Sequence, residues 1–257
     1  MDQVIENILK RKNKTFPYND GKVIALVLYG GVMSGVLGTI ATTVLEEENL
    51  TDAFDYIFTF SAGLPNASYF LSKQSPLSSS VYIDDLSGSK FINFFRFWNI
   101  ADVKYLIHIL RDVKTLHVPE IFKRHTKLIV QLKNRTTKQT DLITIDQSYK
   151  DVYFDLIYAA VKMPFLNPGS VNIKNQRYKD GGGWEEEFPS YLEKFPEITD
   201  VLIIYNRPDQ KLLAKISNKN VFEITPPFLL GMLETNRVKM IEACNQMRKL
   251  MKSIFNN

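Results

Sequence analysis

The chain has 257 residues, 45% of them hydrophobic and 23% charged, with a net charge of +4. That length suits one large domain or two small ones with a sizeable core, and no apolar run reaches the roughly 20 residues that span a bilayer. The single cysteine, Cys244, excludes an intrachain disulfide, and the lack of a Cys/His cluster argues against zinc.

Residues 1–14 carry scattered charges and no apolar core, so they do not read as a secretory signal; a cytoplasmic location is expected. Residues 1–20 form an N-terminal extension in this reading. Residues 23–28 are a short, β-branched apolar run, as expected for a buried parallel strand, and they end at Gly30-Gly31. Val36, Leu37, Ile40, Ala41, Val44 and Leu45 then recur at helical spacing. A second strand at 54–59 leads through Ser61-Ala62-Gly63 into a second helix at 62–73. Strand, helix, strand, helix predicts a parallel α/β sheet.

Residues 74–90 are Ser-rich with a proline and read as a loop, and 91–125 reads as mainly helical. Its aromatics Phe94, Phe95, Phe97 and Trp98 are expected in the core, with a lipid-facing lid as the rival reading. Basic residues are dense between Lys104 and Lys138. The first reading of that stretch is a solvated helical face plus a polar hairpin; the second is transient contact with an anionic membrane surface. Nucleic acid is not expected as a partner, because no aromatic-plus-basic binding module accompanies the charge.

Two strands, 128–132 and 142–145, flank a polar turn. A helix at 152–161 stops before Pro164, and short strands at 171–173 and 176–178 lead into Asp180-Gly181-Gly182-Gly183. Strands at 201–205 and 221–224 and an amphipathic helix at 233–255 complete the chain. With no repeat or convincing linker, residues 1–257 read as one domain; nothing in them specifies an oligomeric state.

A strand that breaks sharply at a serine among small residues is one way to expose a hydroxyl nucleophile. Ser-x-Gly alone is common, however. Gly30-Gly31, between strand and helix, can aim backbone amides at an oxygen gaining negative charge, yet a tight turn looks the same. Neither the dinucleotide fingerprint nor the P-loop is matched there. A serine needs a base within reach. His108, His117 and His125 lie away from any evident strand end, whereas Asp180 stands in a Gly-rich turn, which is otherwise a plain turn sequence.

In this order, the glycine loop, Ser61-Ala62-Gly63 and Tyr178-Lys179-Asp180-Gly181-Gly182 resemble the patatin-like phospholipase family, from about Val23 to the C-terminus. Residues 159–164, Asn206-Arg207-Pro208 and Pro226-Pro227 add to the resemblance. It implies a three-layer α/β/α fold with a mostly parallel central sheet, and a lipid-ester hydrolase with a Ser61–Asp180 dyad. It further implies an oxyanion hole at Gly30, Gly31 and Val32, and neither metal nor cofactor. The chain departs from the family pattern at Val32 and Ser34 in the loop, at Thr59 before the elbow, and at Glu185-Glu186-Glu187. Ser34 is expected to cap the following helix, and the glutamates to be solvated. An inactive lipid- or protein-binding relative and an acyltransferase are the rival functions.

Overall fold

The computed structural model describes residues 2–182, 184–212 and 216–256, with the backbone alone at 184–186. An eight-stranded sheet forms its centre. β1 (Ile24–Leu28) pairs in parallel with β2 (Tyr56–Thr59) on one side and with β7 (Asp200–Ile204) on the other. β3 (Lys127–Asn134) extends the β2 side and β8 (Asn220–Ile224) the β7 side, both in parallel. β4 (Thr140–Ile145) and β6 (Gln176–Asp180) run antiparallel to β3, and β5 (Val171–Ile173) pairs antiparallel with β6.

All five residues of β1 are buried, because its alternating side chains meet two covered faces. Leu26 and Leu28 join the main core with α2 (Val36–Glu47), α3 (Gly63–Leu71) and α9 (Arg237–Phe255). Ala25, Val27 and Tyr29 join a smaller, aromatic core with Phe58, Phe60 and Phe188, the last carried by α8 (Trp184–Leu192). The architecture is therefore a mostly parallel sheet between helical layers.

Several expectations change. Residues 74–90 are not a loop: α4 (Ser75–Ser80) runs into a π-helical turn, Val81–Leu86. Pro76 sits in the first turn, where its missing N–H costs nothing. The Glu46 carboxylate accepts the Ser75 amide at 2.9 Å, and the Ser79 and Ser80 hydroxyls bond back to carbonyls three residues earlier.

Residues 91–125 are only partly helical, in α5 (Val103–His108), a π-helical continuation, Ile109–Val113, and α6 (Val118–Ile121). The four aromatics are not core. Ile92 and Ala101 pair as an isolated bridge, both buried, so the connection between them bulges outward. Phe95 is 90% and Trp98 84% exposed. Part of the following basic stretch is neutralised locally: Lys114 pairs with Asp85 at 2.7 Å, Lys123 with Glu120 at 2.5 Å and Arg124 with Asp52 at 2.9 Å.

The N-terminal segment is built into the core rather than appended to it. α1 (Gln3–Leu9) buries Val4, Ile5 and Ile8, and the buried Arg11 pairs with Asp20 and Asp55 at 2.7 Å. At the other end α9 begins at Arg237 rather than at 233. The Asn236 side chain fixes that start by accepting the Val238 and Lys239 amides. Among the described residues no helix is long and apolar enough to cross a membrane.

Candidate active site

β2 ends at Thr59, and the chain turns at Ser61 with φ of +50° before α3 begins at Gly63. A non-glycine residue in the left-handed region is uncommon and marks a turn held by its surroundings. Gly63 is dictated by a close approach: a Cβ there would stand 2.2 Å from the Leu28 carbonyl oxygen. Thr59 fits because its hydroxyl donates to the Ile129 carbonyl at 2.9 Å. The elbow therefore needs no glycine at that point.

Strand register brings Asp180 to the serine. Thr59 lies opposite Val130 and Asp180 opposite Leu132, both on β3. β4 pairs with β3 from Leu128 to Lys133 and so takes one whole edge of it. β2 and β6 must then share the other edge, and they meet end to end. Two residues along a strand is about 6.6 Å. Ser61 stands as far beyond Thr59 in sequence as Leu132 stands beyond Val130.

Ser61 and Asp180 accordingly line one crevice, together with Gly30, Gly31 and Val32. They are 8% and 7% exposed. Burial raises the Asp180 pKa to about 6. The Ser61 hydroxyl, as a hydrogen-bond partner, the Gly182 amide and the Lys179 charge pull it partly back down. The Gly182 amide donates to the carboxylate at 3.1 Å. Glu187 does not contribute to this rise. Its carboxylate is held by the Gln131 side-chain amide at 3.4 Å and by the Tyr191 hydroxyl. Gly183 and the side chains of Glu185 and Glu186 lie outside the described residues.

The glycine loop is strained and tied down. Gly31 has φ of +152° and Val32 φ of +51°. A β-branched residue in that region costs on the order of 1–3 kcal/mol. Ser34 does not cap α2; its hydroxyl donates to the Gly31 carbonyl at 2.8 Å, and α2 starts without a side-chain cap. Behind the loop, Asn206 donates to the Tyr29 and Gly30 carbonyls at 2.5 and 3.1 Å, and Gln210 donates to Gly30 at 3.3 Å. With its carbonyls fixed, the loop has its Gly31 and Val32 amides without an acceptor among the described residues. Such amides can receive an oxyanion.

Gln131 and Gln210 were not foreseen as site residues. A lone amide within the apolar run of β3 is the signal that marks Gln131, since buried polar groups are there to bond something. Its side chain bonds the Gly182 carbonyl at 3.3 Å and the Tyr191 hydroxyl at 3.0 Å. None of the three histidines lines the crevice. His108 pairs with Asp112 at 2.8 Å, and His125 stacks on Phe16 at 4.4 Å.

A second pocket, walled almost wholly by apolar atoms, shares Ser61, Val32 and Met163 with the crevice. Ala62, Tyr82, Leu86 and Met163 are among its walls. Ser61 thus stands where a polar crevice and an apolar pocket meet.

Among solved structures, VipD from Legionella pneumophila, an effector with a patatin-like phospholipase domain, matches with a TM-score of 0.52. The match has 12% identity and covers 91% of this chain and 67% of that one. The fold is patatin-like. At that identity the likeness concerns the fold alone. No protein-family model matches the chain, and no curated protein does. Within this patatin-like fold the crevice lies beyond the carboxyl ends of the parallel strands, where open α/β sheets bind ligands.

Proposed function

We propose that the chain is a serine acyl hydrolase of lipid carboxylic esters, with phospholipid as the default substrate. One observation carries this reading: Ser61 and Asp180 share a crevice with the free Gly31 and Val32 amides, and an apolar pocket adjoins Ser61. The acyl chain occupies the apolar pocket and the leaving alcohol faces the polar crevice.

In the reaction, the Asp180 carboxylate takes the Ser61 proton as Oγ bonds to the ester carbonyl carbon. The carbonyl electron pair moves onto oxygen, which the loop amides receive; one such donor is typically worth about 2.7–4 kcal/mol. The N-terminus of α3 adds its dipole. Collapse of the adduct breaks the bond to the alcohol, which leaves with the proton from Asp180. Water, deprotonated by the same carboxylate, then cleaves the acyl-enzyme. An acyltransferase would differ only in the alcohol that replaces this water, and product analysis with an added acceptor separates the two.

A fluorophosphonate probe should label the wild type and leave Ser61→Ala unlabelled. Mass spectrometry of lipids incubated with both proteins should show fatty acid released by the wild type only. Equal labelling of both proteins, or release that survives the substitution, would remove Ser61 from the reaction. The rival reading, a non-catalytic lipid-binding protein, draws on the strained Val32 in the loop. Lipid binding by both proteins with no ester cleaved across a panel would favour it.

A further inference from the structure

Five large aromatics stand in solvent on two segments whose roots line the apolar pocket. Phe94, Phe95, Phe97 and Trp98 come from the bulge between Ile92 and Ala101, and Phe165, 89% exposed, comes from the segment after α7 (Tyr153–Ala160). Isolated exposed apolar side chains are ordinary, whereas a cluster of this size marks a surface that something covers.

The two segments form one braced rim. The Ala101 amide donates to the Leu166 carbonyl at 3.0 Å. Asn167 donates to the Ala101 carbonyl at 2.9 Å and to the Asn99 side chain. Beneath them the buried Lys162 ammonium donates to the Asn167 side-chain oxygen at 2.6 Å. Arg96 braces the bulge from within, bonding Asp102 and the Ser89 carbonyl at 3.0 Å and the Lys90 carbonyl at 2.5 Å. Polar groups turn inward here and aromatics outward, the reverse of an ordinary surface loop.

Two further facts point to what covers the rim. Phe91, Ala101, Met163 and Leu166, at the roots of the same two segments, line the apolar pocket that reaches Ser61. Lys90 and Lys104 flank the rim, exposed and without an ion pair among the described residues. Apolar rings bordered by free cations match the interfacial layer of an anionic bilayer, where rings sit at headgroup depth and lysines meet phosphates.

We propose that this aromatic rim inserts into the surface of an anionic phospholipid bilayer, setting the mouth of the acyl pocket on the lipid. The use made of the contact rests on the hydrolase reading; the contact itself does not need catalysis. Lys104, at the start of the basic stretch, belongs to this surface, whereas Lys114, Lys123 and Arg124 further along it are paired with carboxylates.

The test uses the full chain carrying Ser61→Ala and Trp184→Phe, which leaves Trp98 as the single tryptophan of the two in the sequence. Vesicles of mixed phosphatidylserine and phosphatidylcholine should co-sediment this protein and shift Trp98 emission to the blue. High salt or pure phosphatidylcholine should weaken the binding. Phe95→Ala with Trp98→Ala, in the Ser61→Ala chain, should lower the partition coefficient by about tenfold or more, each ring removing buried apolar area. Thermal unfolding should stay unchanged, since both rings are exposed.

Equal sedimentation of that variant, or Trp98 emission that ignores vesicles, overturns the proposal. So does a blue shift that rises with protein concentration alone, which would make the rim a contact between copies of the chain. Failure of the Ser61→Ala, Trp184→Phe chain to bind vesicles, beside intact ester cleavage by the wild type, would overturn the rim and spare the hydrolase. Rim-dependent vesicle binding by that chain, with no ester cleaved by the wild type, would do the reverse.

Discussion

Gly30 and Ser61 touch: a methyl group on Gly30 would stand 2.7 Å from the Ser61 Cβ and 3.1 Å from the Phe60 carbonyl oxygen. The glycine loop and the elbow are therefore one packed unit, and the distance between the loop amides and the serine oxygen is set by that contact. Gly30→Ala should push the two apart. Overpacking of this kind costs about 1–3 kcal/mol, and misplacing a nucleophile by an ångström can cost a hundredfold in rate. Urea denaturation and turnover of a soluble ester would measure both. Full activity in Gly30→Ala would show that the loop takes no part.

In the proposed reaction the Asp180 carboxyl, lifted from its ordinary 3.8 to about 6 by burial, would set the acid limb of the rate. As a base it must be ionised, so kcat/KM should fall about tenfold per pH unit below 6 and level off above. A flat profile between pH 5 and 8 would remove Asp180 as the base.

Stability has the opposite dependence. Between about pH 4 and 6 the native state binds the Asp180 proton more tightly than the unfolded chain does. That contribution is complete below about pH 4 and is lost as the pH rises through 6, amounting to about 3 kcal/mol at most. Asp180→Asn should keep an acceptor for the Gly182 amide while shedding the buried charge. It should unfold at higher urea than the wild type at pH 8, with little difference at pH 4, and should be inactive.

Val32, at φ of +51°, is a β-branched residue where glycine is at ease. Val32→Gly should relieve the strain, offset in part by the larger entropy of glycine in the unfolded chain, for a net gain of about 1 kcal/mol. Val32→Ala should gain less, because it keeps a Cβ. Chemical denaturation of the three proteins would check the order. A less stable glycine variant would mean that Val32 contributes more by packing than it loses by strain.

Gln131 bonds the Gly182 carbonyl while the Gly182 amide bonds Asp180, so in the proposed reaction it would act as a positioning residue. Gln131→Leu should lower kcat about tenfold with little change in KM. It should also raise the midpoint of the acid limb, because a looser Gly182 amide stabilises the carboxylate less. An unchanged midpoint would make its role purely structural.

Much of the scaffold was legible from the chain. Residues 23–28 and 54–59 lie close to the bounds of β1 and β2, because buried parallel strands need unbroken apolar runs between turn residues. The helix after β1 followed from apolar spacing, since Val36, Leu37, Ile40, Ala41, Val44 and Leu45 share one face. Local signals failed where composition and burial part company. A Ser-rich segment folded as α4 because Glu46, from another helix, accepts its first amide. The aromatics of 94–98 read as core by their chemistry and stand in water by their position.

The order of the residues fixed the turn at Ser61, the glycine pair beside it and the apolar strands that lead to both, since these depend on neighbours along the chain. Tertiary structure alone decided that β6 meets β2 on one edge of β3, that Asp180 is buried there, and that five aromatics stand exposed on segments that also wall the apolar pocket. Those outcomes depend on strand register and on which surfaces are left uncovered. Both are settled between segments far apart in the chain, where the periodicity of a single strand or helix carries no information.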